Sequence, residues 1–201
     1  MRHVAIVAAC VLALAAAGCA GQRTSTPPRP ASTAQRTQYP PEPYQRDTVL
    51  HEAEAFFGKG ARGLAEVINR VFDDYGPPDA YIKGEEGGGA IAVGLRYGHG
   101  TLYYKDGTST KVYWRGPSLG FDIGGSAAKT FVLVYNLDSI DAIFQRFGGV
   151  EGSLYYVGGV GVTYNRADDI VLAPVRFGVG WRQGVNVGYL HLSPERSWVP
   201  F

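Results

Sequence analysis

The spacing of hydrophobic positions changes several times along this chain, and each change marks an element. From Val4 to Ala17 every position is apolar or small. From Ala20 to Arg46 aliphatic residues almost vanish. Leu64, Val67, Ile68, Val71 and Phe72 then recur at three- and four-residue intervals, which places them on one face of a helix. Gly76-Pro77-Pro78 stops that helix, because proline cannot continue it. His51 to Phe57 reads as a short helix before it. Ile140, Ile143, Phe144 and Phe147 have the same spacing and predict a further helix over Ser139–Phe147, with Asp138 as its cap and Asp141 in its first turn.

Nearly everything else has the period of strands. The candidates are Ala80–Lys83, Ala90–Tyr97, Gly100–Lys105, Lys111–Trp114, Ser118–Ile123, Thr130–Tyr135, Ser153–Asn165, Asp169–Val179 and Gly184–Leu192. Asp106-Gly107 is the clearest hairpin turn. Glycines recur inside the strands at 94, 120, 158, 159, 161, 178, 180 and 188. Glycine weakens a flat strand but permits the kinks of a strongly curved sheet. The expected fold is therefore mainly β: a small, strongly curved antiparallel β-barrel with two short helices packed on it. A two-layer α+β sandwich is the alternative.

The ends of the chain set the organisation. Arg2, His3 and the apolar run Val4–Ala17 form an export signal, about 14 residues long where a bilayer span needs about 20. The run ends in Ala16-Ala17-Gly18-Cys19, which is similar to a lipobox but has Ala16 where leucine is usual. That predicts lipidation of Cys19; a cut near Ala15-Ala16-Ala17 would instead release a soluble protein. Cys10 lies within the signal, so Cys19 is the one thiol of the mature chain, which excludes a disulfide or a thiolate metal site from the folded part. Ala20 rather than aspartate after the cysteine is similar to lipoproteins of the outer membrane in Gram-negative bacteria. Residues 20–46 hold six prolines among Ser, Thr and Gln and read as a disordered tether, with a reach of roughly 80 Å as polyproline. The domains expected are 1–19 signal, 20–46 tether and 47–201 a single β-barrel.

Charge removes one class of partner. The first 46 residues hold five arginines and one glutamate, which leaves 14 basic and 17 acidic residues, about −3, in the folded part. With no basic stripe, nucleic acid is not a partner.

The residues offer little catalytic chemistry. His51, His99 and His191 are isolated and lack the spacing of a metal site. Gly116-Pro117-Ser118-Leu119-Gly120 has the letters of a nucleophile elbow, but a strand follows where the elbow needs a helix. Gly58-Lys59-Gly60-Ala61-Arg62-Gly63 precedes a helix without the ending of a nucleotide loop. No cofactor is implied. Asp122, an acid among apolar neighbours, needs a partner if it points inward; Arg96, Arg115 and Lys129 are candidates. With Glu85 or Glu86, placed in a glycine-rich turn, it is the one candidate acid/base pair. Eleven Tyr and Trp residues lie along the strands. Alternation turns half of them inward, which makes either an ordinary aromatic core or an apolar pocket or groove with hydroxyls at its rim. Its expected lining is Tyr113, Phe121, Phe131, Tyr156 and Trp181.

Several runs together carry a resemblance. Residues 113–125, 129–137, 143–147, 148–156, 169–176, 184–191 and 197–201, with Gly84–Ala90 and Gly94–Gly100 upstream, resemble the EipA family of envelope integrity proteins. The resemblance covers nearly all of the folded part. It implies a small β-barrel, an alphaproteobacterial periplasmic protein and a role in cell-envelope homeostasis, and no established reaction. The lipobox departs from that pattern. A weaker resemblance, carried by Gly124-Gly125, Phe131–Tyr135 and Gly158–Gly161, is to the lipid-binding SYLF module. Three functions follow as expectations. The first is a non-enzymatic protein that binds a lipid or envelope glycan in the barrel and is held to the outer membrane through Cys19. The second is a hydrolase of an envelope polymer using Asp122 and Glu85 or Glu86. The third is an adaptor for an envelope enzyme, docking through Trp198 and Phe201.

Overall fold

The computed structural model of the chain describes residues 41–58, 62–91, 93–119, 128–150, 154–177 and 188–197. Two helices come first, α1 (Arg46–Phe57) and α2 (Leu64–Tyr75). Ten strands follow: β1 (Ala80–Ile91), β2 (Val93–Tyr104), β3 (Ser109–Leu119), β4 (Ala128–Tyr135), β5 (Arg146–Gly149), β6 (Tyr155–Val157), β7 (Val160–Val162), β8 (Asn165–Ala167), β9 (Ile170–Phe177) and β10 (Tyr189–Ser193). Neighbours pair in the order β4-β1-β2-β3-β10-β5-β8-β9, and β4 pairs with β9, so eight antiparallel strands close into a barrel.

The remaining two strands extend it. Asn165 opposes Leu172 and Val162 opposes Val175 in one common register, so β7 and β8 are two parts of a single strand along β9. The break falls where Thr163 faces Pro174. The Thr163 amide donates to the Pro174 carbonyl at 3.3 Å, and proline has no N–H to return the bond. Gly158-Gly159, at φ 56° and 87°, turns β6 into β7. The turn also lets α2 approach: a Cβ on Gly63 would meet the Val157 carbonyl oxygen at 2.2 Å.

The alternation of side chains sorts two cores. One is gathered from around the ring and contains no residue of α1 or α2: Ile82, Leu102, Val112, Trp114, Val132, Val134, Phe147, Leu172, Leu190 and Leu192 belong to it. It lines the described barrel interior. The other lies outside, where Val49 and Ala53 of α1 and Leu64, Val67, Ile68, Val71 and Phe72 of α2 cover Tyr81, Phe131, Leu133, Val171, Ala173 and Val175. α2 therefore buries the face its periodicity predicts. Lys83 of β1 pairs with Glu52 of α1, and Asp79 binds the Lys105 Nζ at 2.7 Å and accepts from the Leu137 amide at 3.0 Å.

Several sequence expectations change. The helix over Ser139–Phe147 is one 3₁₀ turn, Ile140–Ile143, and Phe147 instead enters β5 opposite Leu190. Burial of Phe147 in the barrel and the backbone bonds needed for ring closure override local spacing. α1 begins at Arg46 rather than His51. Gly84–Gly89 is not a turn: Gly84 to Glu86 pair with β2 on one side and β4 on the other, and the hairpin falls at Ile91–Val93 inside the strand expected over Ala90–Tyr97. Lys111–Trp114 and the start of Ser118–Ile123 belong to one strand, β3. Asp106-Gly107 is the turn expected, with Gly107 at φ 87° and the Asp106 carboxylate accepting from the Thr108 amide at 2.7 Å.

Phe131 is the best single probe of this fold, because it is fully buried and stacks on Tyr81 with ring centroids 5.4 Å apart. Phe131→Ala should cost about 3–5 kcal/mol. Thermal melting of the full chain should show a drop on the order of 10 °C, the scale expected for a domain of this size.

Candidate functional site

Two features stand apart from the apolar cores. The first is a polar cluster facing into the barrel. Glu86 on β1 receives Arg176 from β9, Nε to Oε1 at 3.1 Å and Nη2 to Oε2 at 3.3 Å, and the Trp114 indole donates to Oε2 at 2.9 Å. Arg176 Nη1 reaches Thr163 Oγ1 at 3.4 Å. Burial alone would raise the Glu86 pKa. The Arg176 and Arg96 guanidiniums outweigh it, aided by the hydrogen bonds from Arg176 and Trp114, and hold it at about 2. Trp114 reaches this position across bare backbone: a Cβ on Gly98 would lie 2.0 Å from its Cε2, and one on Gly84 would lie 2.5 Å from its Cη2.

The second feature is a groove of about 450 Å³ on the outer face of β2, β3 and β10. Leu95, Tyr97 and His99 supply it from β2, Tyr113 and Arg115 from β3, and Ser193, Arg196 and Ser197 from β10 and the residues after it. Gly87, Gly98 and Trp114 also contribute. Arg196 lies 5.8 Å over the Tyr113 ring. Arg115 Nη1 donates to Ser193 Oγ at 3.4 Å. The groove thus combines aromatic and aliphatic surface with guanidinium groups, which suits a molecule that is apolar at one end and charged or polar at the other.

Of the residues expected to line one pocket, the three that are described, Tyr113, Phe131 and Tyr156, do not come together. Tyr113 lines the groove, on the outside of the barrel rather than the inside. Phe131 is packed beneath α1, near Phe56 and Phe57, because odd positions of β4 face the helices. Tyr156 sits on β6 and is 47% exposed. Phe121 and Trp181 lie outside the described residues, as do Cys19, Asp122, Trp198 and Phe201. Glu85 and Glu86 are consecutive in a strand and so point to opposite faces of β1. Glu86 is the partner of Arg176, and Glu85 opposes His99 and Lys129 in register. Among the described residues, no three His, Cys, Asp or Glu side chains converge as metal ligands would.

Sequence reasoning missed Leu95, Tyr97, Arg115, Ser193 and Arg196 as a group, and missed Arg176 as the partner of Glu86. Their association depends on which strands are neighbours. The one local signal was the aromatic alternation of β2 and β3, which shows that a face is rich in rings but not which face it is.

A family model described as envelope integrity protein A matches residues 42–201. A crystal structure of a β-barrel-like, uncharacterized protein from Brucella abortus is 45% identical, covers 79% of this chain and 99% of its own, and superposes with a TM-score of 0.72. No curated protein matches the chain.

The Glu86 pair makes stability depend on acid. Its folded pKa lies below the ordinary 4.5, so its contribution is fully present above about pH 4.5 and is lost as pH falls toward 2. The shift corresponds to about 3 kcal/mol. Urea denaturation between pH 2 and 7 should show this limb in the wild type and a flattened one in Glu86→Gln. That variant should also be less stable at pH 7 by about 3–5 kcal/mol, since Arg176 is left buried without its anion.

Proposed function

Because the chain belongs to the envelope integrity protein A family, we propose that it is an exported, non-enzymatic binding protein that holds an amphipathic envelope molecule in the groove on the outer face of β2, β3 and β10. The observation that carries this reading is the groove itself. Leu95, Tyr97 and Tyr113 offer apolar and aromatic contact, while Arg115, Arg196 and His99 offer charge and hydrogen bonding in the same 450 Å³ space. Placing the ligand there leaves the barrel interior to the apolar cluster and the Glu86–Arg176 pair that occupy it. The carboxylates support binding over hydrolysis. Glu86 remains ionised and held by Arg176, and its neighbour Glu85 faces the other side of the strand.

Location follows from the N-terminal segment. The apolar run Val4–Ala17 exports the chain, Cys19 takes the acyl chains, Ala20 directs the protein to the inner leaflet of the outer membrane, and residues 20–46 hold the barrel away from it in the periplasm. A tether of this length gives the groove reach to molecules at or near the membrane surface.

Native mass spectrometry and organic extraction of the full chain purified from cells test the groove. A co-purifying amphipathic molecule is expected in the wild type, with occupancy reduced about tenfold in Tyr113→Ala and melting temperature little changed. Wild-type protein that carries nothing and takes up no amphipathic molecule refutes the reading. The anchor has its own test: cells fed a labelled fatty acid should label the wild type and not Cys19→Ala. An unlabelled wild type shows that Cys19 is not acylated.

A further inference from the structure

One row of the barrel sets an arginine on each side of a histidine. Tyr97 opposes Arg115, Arg115 opposes His191, and His191 opposes Arg146, so β2, β3, β10 and β5 carry Tyr, Arg, His and Arg in a line. The flanking positions Trp114, Leu190, Leu192 and Phe147 turn into the barrel, so this row faces outward. Directly opposed residues of an antiparallel pair have Cβ atoms about 5 Å apart, so a charged His191 would sit against an arginine on each side. A sheet normally alternates such charges with acids. Among the described residues, neither Arg115 nor Arg146 has an ion pair.

The donors of the row are also underused. Arg115 Nε and His191 Nδ1 are buried without a hydrogen-bond partner. Arg146 lies 4.2 Å over the Tyr189 ring, a contact that holds the guanidinium in place without neutralising it. Burial, then Arg115 and Arg146, lower the His191 pKa, so the imidazole avoids becoming a third cation between two others. Arg115 is itself part of the groove wall, beside Ser193. The row therefore runs from the groove toward β5 as a continuous strip of anion-binding groups.

We propose that this row is the headgroup subsite of the groove, and that it binds the phosphate of an anionic glycerophospholipid whose apolar part contacts Leu95, Tyr97 and Tyr113. The assignment rests on the groove being the site of an amphipathic molecule. Phosphate fits because its oxygens accept from several donors at once, and guanidinium forks match that geometry. A bound phosphate gives both guanidiniums the anion that the described residues do not supply. That explains why two arginines flanking a histidine are tolerated on neighbouring strands.

The test uses the full chain carrying Cys19→Ala, which keeps acyl chains off the protein. Isothermal titration compares dioctanoylphosphatidylglycerol, below its micellar concentration, with uncharged dioctanoylglycerol and with inorganic phosphate. The wild-type sequence should prefer the anionic lipid over the neutral one by about tenfold or more. Arg115→Gln and Arg146→Gln should each bring that preference close to one. Neither should lower the melting temperature much, because each gives up one weak contact, Arg115 with Ser193 and Arg146 with Tyr189, whereas loss of a purely structural arginine would lower it clearly. A preference that survives in both variants, or that is absent in the wild type, overturns the headgroup assignment. Inorganic phosphate binding as tightly as the lipid would make this a free-anion site and also overturn it. Failure of both lipids to bind the wild type refutes the groove reading instead.

Discussion

The pairing of β4 with β9 is the constraint on which the rest depends. It closes the ring, and it does so beneath the two helices, so both strands must be apolar on two faces. Thr130 to Tyr135 are buried at every position, as are Ile170 to Arg176. Val132, Val134 and Leu172 fill the barrel, while Phe131, Leu133, Val171, Ala173 and Val175 receive α1 and α2. A strand buried on both sides tolerates no slip of one residue, because a slip would exchange two differently shaped cores. Pro174 fits this seam since its missing donor faces Thr163, where the loss is a single bond to β7–β8.

Above the apolar interior, the barrel accommodates charge by pairing it. Glu86, Arg176, Trp114 and Thr163 satisfy one another across β1, β9, β3 and the β7–β8 strand. The indole can lie there because Gly84 and Gly98 present no side chain. Interior glycines thus serve two purposes: they permit curvature, and they make room for the one large aromatic that completes the clamp. The result is a rigid wall behind the outer groove, to which Trp114 also contributes.

On the outer face the balance differs. Arg115, His191 and Arg146 are held in a line by strand register, and the described fold supplies no acid to them. Local consistency is broken here, whereas Lys83 and Glu52, Lys105 and Asp79, and Arg176 and Glu86 are paired. Departures of that kind are expected where a surface has a task beyond stability. The family of envelope integrity proteins and the aromatic groove beside the row give the departure a common setting.

By itself, the sequence determined whatever depends on neighbours along the chain. The face of α2 was legible in five apolar residues, its end in Gly76-Pro77-Pro78, and the β2–β3 turn in Asp106-Gly107. The abundance of short, glycine-containing strands pointed to a curved barrel, since glycine is costly in any flatter sheet. The same local logic failed at Phe147, whose helical spacing yields to burial in β5, and at Gly84–Gly89, where glycine marks a continuous strand rather than a turn. What only the tertiary structure decided is which face each strand turns inward and which strands are neighbours. That choice puts Tyr113 outside and Phe131 under a helix, joins Glu86 to Arg176 across 90 residues, and aligns Arg115, His191 and Arg146. Strand register is set by the packing of two cores against a closed ring, a condition satisfied by the whole chain at once and written in no short segment of it.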